Sequence, residues 1–182
     1  MSEGMHIHTV LGELEPSALG RTLMHEHVFC DIYRVTGRLN ELLNDEALAV
    51  EELAALRNAG GSALVEVTTP DLGRDPDALC RVAEKTELHI VMGTGWYRQP
   101  FYPTEIDRLP TNRLAEMMVE ELLVGVDGSG IRAGIIGEIG IDLDYATAQE
   151  ERVLRAACTI VYRVPFGNVE GENRVRTHLV IR

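Results

Sequence analysis

The chain has 182 residues, of which 45% are hydrophobic, and this is enough for one sizeable globular domain. Its 17 basic and 29 acidic residues give a formal charge of −12, which argues against nucleic acid or an anionic membrane as a partner because phosphates would be repelled. The amino terminus lacks the basic region and apolar core of a signal peptide, and no apolar run approaches the roughly 20 residues of a membrane span, so we expect a cytoplasmic protein.

Apolar, β-branched runs alternate with helical patterns along the chain. In chain order the pattern predicts a strand over 22–29, a helix over 44–61, a strand over 62–70, a helix over 74–86, a strand over 88–97, a helix over 111–125, a strand over 131–140 and a helix over 147–161. Asp75 is the expected N-cap of the second helix, with Pro76 at its first position. Thr147 and Glu150 form a T-x-x-E capping box for the fourth helix.

Four consecutive strand–helix units imply right-handed crossovers and a parallel sheet. No G-x-G-x-x-G follows the first strand, so a doubly wound nucleotide-binding fold is disfavoured. Glycines instead lie at the ends of the third and fourth strands, in "GTGWY" and "GEIG", where a barrel carries its chemistry. A complete barrel takes about 250 residues. We therefore predict an α/β fold of the (β/α)8 TIM-barrel type with about the first four units present, over 1–161, followed by a divergent tail over 162–182.

Three widely spaced cysteines, Cys30, Cys80 and Cys158, form neither a disulfide framework nor a zinc ribbon. We interpret each as a small buried apolar residue in a protein of a reducing compartment.

Two histidines, His25 and His27, lie at the end of the first predicted strand, which we expect to be buried. Side chains alternate along a strand, so both rings point to the same side. Imidazole suits zinc and similar transition metals. A His-x-His pair is by itself a weak signal, and two ordinary polar residues at a strand end remain the alternative.

Two acidic residues lie in otherwise apolar strands, where an unpaired buried carboxylate would be costly. Glu138 lies near the end of the fourth predicted strand, and either a bound cation or a salt bridge, to Arg132 or Arg74, would stabilise it. For Glu66 on the second strand we favour a salt bridge within the barrel.

The segment "GRTLMHEHVF" resembles the signature of the phosphotriesterase family of the amidohydrolase superfamily. The segments "TVLGELEPSALGRTLMHEH", "GGSALVEVTTPDLGRDPDAL", "HIVMGTGWYRQPFYP" and "GIRAGIIGEIG…EERVLRAA" fit the same family in the same order. The resemblance covers roughly residues 8–157 and implies a (β/α)8 barrel with a two-metal centre, usually of zinc.

The resemblance also implies roles for individual residues. His25 and His27 match the first-strand ligands, and Glu138 matches the bridging ligand from the fourth strand. Tyr97 falls at the aromatic position that faces the substrate beside the metals in lactonase-like members. The earlier histidines, His6 and His8, fall in the strand pair before the barrel and are expected to have no ligand role.

The function that the resemblance implies is metal-dependent hydrolysis of an ester bond in a small molecule, such as a phosphotriester, a lactone or a carboxylic ester. One or two zinc ions would lower the pKa of a bound water and polarise the bond that is attacked. A homo-oligomer that does not bind nucleic acid or a membrane is the expected form.

The match ends after residue 157. The family also takes a histidine from each of the fifth and sixth strands and an aspartate from the eighth, and the tail does not supply them. His178 lies further from Glu138 than the family pattern suggests, so we leave it out of the site. We expect a truncated barrel whose fourth strand exposes unpaired backbone groups. The alternative function is a non-catalytic barrel fragment that associates with another chain.

Overall fold

The structure is a computed structural model that describes residues 6–163 and 179–181. The strands are β1 Ile7–Thr9, β2 Gly12–Leu14, β3 Thr22–Glu26, β4 Cys30–Asp31, β5 Leu42–Leu43, β6 Ala63–Glu66, β7 His89–Thr94, β8 Ile135–Ile139 and β9 Leu179–Ile181. The helices are α1 Tyr33–Thr36, α2 Glu46–Asn58, α3 Pro76–Thr86, α4 Thr111–Leu123 and α5 Ala148–Arg163.

Strands β3, β6, β7, β8 and β9 form one parallel sheet in that order, and its first four members are the strands predicted from the sequence. In a flat sheet β3 and β8 would be about 14 Å apart, because neighbouring strands lie about 4.8 Å apart. Side chains of these two strands nevertheless approach within 3.2 Å of each other. The sheet therefore curls like half of a barrel wall, which confirms the predicted (β/α) architecture.

Two clusters of the hydrophobic core, one large and one small, lie on opposite faces of the sheet. Alternate strand residues such as Leu64 and Ile90 pack with the inner faces of α3, α4 and α5 in the large cluster. The residues between them, among them Val65 and Val91, form the small cluster, against which Ile7 and the neighbouring Leu19 pack. The antiparallel hairpin of β1 and β2 thus covers part of the face that the helices leave free.

The predicted helix starts are confirmed. Asp75 caps α3 by accepting a hydrogen bond from the Ala78 N–H at 2.9 Å, and Pro76 is the first helical residue. The capping box of α5 is formed in both directions, since the Glu150 N–H donates to Thr147 Oγ1 and the Thr147 N–H donates to Glu150 Oε2. These bonds satisfy donors that an uncapped helix leaves free.

Three expectations are wrong. The fourth predicted strand, β8, is not an open edge, because β9 from the tail pairs with it. The first strand is not buried: it lies at the end of the sheet order, with Leu23 40% and Met24 64% exposed. Of the three free cysteines only Cys30 is buried, whereas Cys158 is exposed.

The boundary between residues 161 and 162 stays a prediction, although α5 continues past it to Arg163. His178 lies outside the described residues. Of the helices that the structure describes, none combines the length and apolar character needed to cross a bilayer.

Candidate metal centre

His25, His27 and Glu138 meet on the concave side of the sheet, as predicted. His25 is in β3 and His27 directly follows it, while Glu138 is the fourth residue of β8. The Nε2 atom of His25 lies 3.2 Å from Glu138 Oε2, and the Nε2 atom of His27 lies 3.4 Å from Glu138 Oε1. The Glu138 side chain is almost fully buried, at 2% exposure, and the two rings are partly exposed. The site is thus closed behind the carboxylate and open on the side of the imidazoles.

The arrangement fits a cation. His25 Nε2 and Glu138 Oε2 are buried and, although only 3.2 Å apart, make no hydrogen bond. The three candidate ligand atoms all lie within 4.8 Å of one another. Ligand atoms about 2.0–2.1 Å from a tetrahedral zinc ion are about 3.3 Å apart. The observed separations from Glu138 therefore suit a metal ion between the three side chains, and this group could bind one.

The electrostatics of His27 also favour positive charge at this place. Burial of the ring opposes its protonation, but interactions with the Cys30 and Glu138 side chains outweigh that effect and raise the pKa of His27 to about 10. The carboxylate thus attracts either a proton or a metal ion to the imidazole edge that faces it.

The arginine alternatives for Glu138 are not realised. Arg132 pairs with Glu13 at 2.7 Å, and Arg74 makes a two-pronged salt bridge to Glu121 at 2.7 and 2.9 Å. Among the described residues, the two histidines are the ion-pair partners found for Glu138. This outcome favours the cation interpretation.

The predicted salt bridge of Glu66 is not formed within the part of the chain that the structure describes. Glu66 is 1% exposed and accepts hydrogen bonds from the Val28 N–H, the Thr68 N–H and the Thr68 hydroxyl. Burial raises the pKa of Glu66 to about 7, since these hydrogen bonds only partly offset the loss of solvent. The Thr68 oxygen also lies 2.9 Å from His27 Nδ1, so sequence reasoning missed a connection between Glu66 and the site. The sequence signal for this connection is Glu66 in an apolar strand, followed by Thr68 and Thr69.

Tyr97 follows β7 and lies against the end of β8. Its N–H donates to Asp71 Oδ2 at 2.8 Å, and its carbonyl accepts the Gly140 N–H at 2.6 Å. A Cβ atom at Gly140, two residues after Glu138, would lie 2.8 Å from the Tyr97 ring. The Arg98 guanidinium covers the ring at 4.5 Å from its centroid. The tyrosine is therefore held in the neighbourhood of the metal group, and its contact with a substrate stays a prediction.

The buried carboxyl of Asp71 was not identified from the sequence. Burial raises its pKa to about 6, and the hydrogen bond from the Tyr97 N–H opposes this rise only in part. Its position in the "TTPD" segment after β6 is its only signal.

The two histidines near the amino terminus lie at the β1–β2 hairpin, His6 just before β1 and His8 within it. His6 is 3.3 Å from Glu15, and His8 is 4.0 Å from Glu13. Neither belongs to the group that could hold a metal, which is made of His25, His27 and Glu138 among the described residues. That His6 and His8 have no ligand role stays a prediction.

Comparisons of the sequence and of the structure with known proteins point to the same family. The profile of the phosphotriesterase family matches residues 5–165. The chain is 36% identical to the N-acetyltaurine hydrolase of Homo sapiens, over 82% of this chain and 51% of the relative. Among solved structures, the phosphotriesterase homology protein of Escherichia coli, complexed with phosphate in its active site, matches with a TM-score of 0.77 and 31% identity, over 80% of this chain and 50% of that one. An organophosphorus hydrolase from Deinococcus radiodurans matches with a TM-score of 0.76 and 32% identity, over 87% of this chain and 50% of that one. The chain thus spans about half the length of these proteins.

Proposed function

Because the chain belongs to the phosphotriesterase family, we propose that it is a metal-dependent hydrolase of ester bonds in small molecules. The observation that carries the proposal is the meeting of His25, His27 and Glu138, which come from two strands that are not neighbours in the sheet. The proposed substrates are a phosphotriester, a lactone or a carboxylic ester. The chain spans about half of its relatives, so the activity and substrates of the whole protein are part of the proposal.

The proposed cofactor is zinc, as one or two ions. His25 and His27 would bind it through Nε2, and Glu138 through a carboxylate oxygen, since these atoms face one another. Two imidazoles and a carboxylate are a known catalytic ligand set for zinc, and a bound ion lowers the pKa of water and polarises the bond to be cleaved.

The chain's own residues would orient the substrate and limit water. Glu138 is 1% exposed and is therefore shielded from solvent. Tyr97, which we propose faces the substrate, is fixed through both its N–H and its carbonyl. A ring held in this way would place an apolar wall with a polar tip beside the ester. A catabolic, cytoplasmic enzyme that forms homo-oligomers is the wider proposal.

Zinc content is the first test, because it does not depend on turnover. We expect zinc to bind the purified protein, and we expect His25→Ala and His27→Ala each to lower its affinity at least tenfold in a competition titration with a chromophoric chelator. His6→Ala is the matched control, since His6 belongs to the hairpin and not to the metal group. Equal zinc affinity in the wild type and both site variants would overturn the assignment of these ligands.

Hydrolysis of paraoxon and of a simple lactone is the second test. Turnover should depend on added zinc and should be lost in His25→Ala and His27→Ala but retained in His6→Ala. Turnover that survives both site substitutions would sink the proposed function for these residues.

A second candidate function is a non-catalytic barrel fragment that associates with another chain. The exposure of Leu23 and Met24 on the edge strand β3 favours it, because an apolar strand edge is a template for pairing. We expect Met24→Lys to reduce the mass measured by light scattering if this edge is an interface. A monodisperse monomer in the wild type would count against this candidate.

A further inference from the structure

A chain of hydrogen bonds runs from His27 away from the metal centre into the core. His27 Nδ1 lies 2.9 Å from Thr68 Oγ1, and the Thr68 hydroxyl donates to Glu66 Oε1. Thr68 and Glu66 are 0% and 1% exposed. This series of hydrogen bonds therefore connects the end of the exposed edge strand β3 to the buried strand β6 through the Thr68 and Glu66 side chains, which are shielded from water.

The direction of these hydrogen bonds follows from the chemistry of a hydroxyl group. A threonine hydroxyl has a single proton and can accept through its lone pairs. The Thr68 hydroxyl donates to Glu66, so the Thr68 oxygen accepts a hydrogen bond from the His27 Nδ1–H. The proton-bearing nitrogen is then Nδ1, and the lone pair of a neutral ring lies on Nε2, which is the atom 3.4 Å from Glu138.

We propose that Thr68 and Glu66 are positioning residues of the metal centre, which fix the Nδ1–H form and the ring orientation of His27 so that Nε2 faces the metal. Metal-binding histidines commonly donate their second N–H to such a partner, and loss of the partner lowers metal affinity ten- to a hundredfold. The inference rests on the proposed function, because it assigns roles around the same metal.

Glu66 also holds the backbone next to the ligand. Its Oε1 atom accepts the Val28 N–H at 3.2 Å, and its Oε2 atom accepts the Thr68 N–H at 3.2 Å. A single buried carboxylate thus fixes the residue after His27 and the residue that binds the ring. Glu66 thus restrains both the backbone position of His27 and, through Thr68, the rotation of its ring.

The two histidines differ in this respect. Among the described residues, no hydrogen bond is found for the His25 ring, whereas His27 is bound through Nδ1. The side chain of His25 is also the more exposed, at 33% against 25%. We therefore infer that His27 is the preorganised ligand and that His25 completes the site.

The experiment compares Thr68→Val, which removes the hydroxyl, with Thr68→Ser, which keeps it. Zinc affinity should fall ten- to a hundredfold in Thr68→Val and stay within about threefold of wild type in Thr68→Ser. Thr86→Val is the control, because Thr86 is also buried and its hydroxyl donates to the Val82 carbonyl within α3. Wild-type affinity in Thr68→Val, or an equal loss in Thr86→Val, would overturn the proposal.

A second readout does not need the metal. In ¹⁵N-labelled protein the His27 Nδ1 proton should be slow to exchange with water in the wild type and in Thr68→Ser, and fast in Thr68→Val. A slowly exchanging Nδ1 proton in Thr68→Val would overturn the proposal. If the wild type binds no zinc, the proposed function fails, whereas this readout still decides whether Thr68 orients the ring.

If Thr68→Val does not fold, Glu66→Gln takes its place. The amide can donate to the Thr68 oxygen, and the Thr68 hydroxyl would then donate to His27 Nδ1 and move the ring proton to Nε2. We expect loss of the Nδ1 proton signal and a weaker zinc complex. Wild-type values for both measurements would overturn the proposal.

Discussion

The close approach of β7 to β8 at Gly93 allows a direct test of how the site depends on the backbone. A Cβ atom at position 93 would lie 2.0 Å from the carbonyl oxygen of Gly137, the residue before Glu138. The obstacle is backbone, so no side chain can rotate away. To reach ordinary contact at 3.4 Å, the Gly137 carbonyl would have to move by about 1.4 Å. This is about three times the 0.5 Å tolerance of a preorganised site.

Gly93→Ala should therefore lower both stability and metal affinity. Overpacking of this kind costs about 1–3 kcal/mol in the free energy of unfolding. We expect zinc affinity to fall at least tenfold, which corresponds to about 1.4 kcal/mol. Urea unfolding, followed by the fluorescence of the single tryptophan, Trp96, measures the first quantity. A competition titration with a chelator measures the second.

Gly134→Ala provides the matched control. Its Cβ atom would lie 2.3 Å from the His8 carbonyl oxygen, also backbone, but at the start of β8 and against the hairpin. We expect a similar loss of stability with less than a threefold change in zinc affinity. Wild-type affinity in Gly93→Ala, or an equal loss of affinity in both variants, would refute the reasoning.

Three further predictions concern stability. Burial raises the pKa of Glu66 to about 7 from 4.5, so the contribution of protonated Glu66 to stability is complete below pH 4.5 and is lost as the pH rises through about 7. Glu66→Gln should reduce this fall in the free energy of unfolding by up to about 1.4 kcal/mol per pH unit. An unchanged pH dependence in urea unfolding would contradict the prediction. Arg74→Ala should lower the free energy of unfolding by about 3–5 kcal/mol, because the Arg74 side chain is 2% exposed and its loss leaves Glu121 without its cation. A loss under about 1 kcal/mol in thermal unfolding would contradict this prediction. Thr147→Ala should cost about 1 kcal/mol by removing the acceptor for the Glu150 N–H, and a urea midpoint equal to wild type would disprove the cap's contribution.

Helix starts are predictable from this sequence because each depends on neighbours in the chain. Asp75 needs only the N–H three residues later, and Thr147 needs only Glu150. The two metal-binding rings are partly predictable for the same reason, since alternation along a strand places His25 and His27 on one side. Glu138 was joined to them through the family resemblance and not through spacing.

The partners of Glu66 are not predictable in this way. Its hydrogen bond to the Val28 N–H joins residues 38 positions apart, and that of Thr68 to His27 joins residues 41 apart. The sequence shows that a carboxylate lies in an apolar strand, which indicates that it needs a partner but not which one. Backbone donors and a hydroxyl satisfy it here, where a salt bridge was expected.

The strand order also has a consequence for the way the protein folds. About 110 residues separate His27 from Glu138, and closing so long a loop costs entropy before any ligand contact can form. Strands β6 and β7 lie between β3 and β8. A cation can therefore bind the histidines at β3 and Glu138 on β8 together only after β6 and β7 are paired in register. Its binding energy would then add to the stability of the assembled state and not to that of a local turn. Amide exchange should accordingly slow across the four strands β3, β6, β7 and β8 together when zinc is added. The metal would then stabilise these strands as a single cooperative unit.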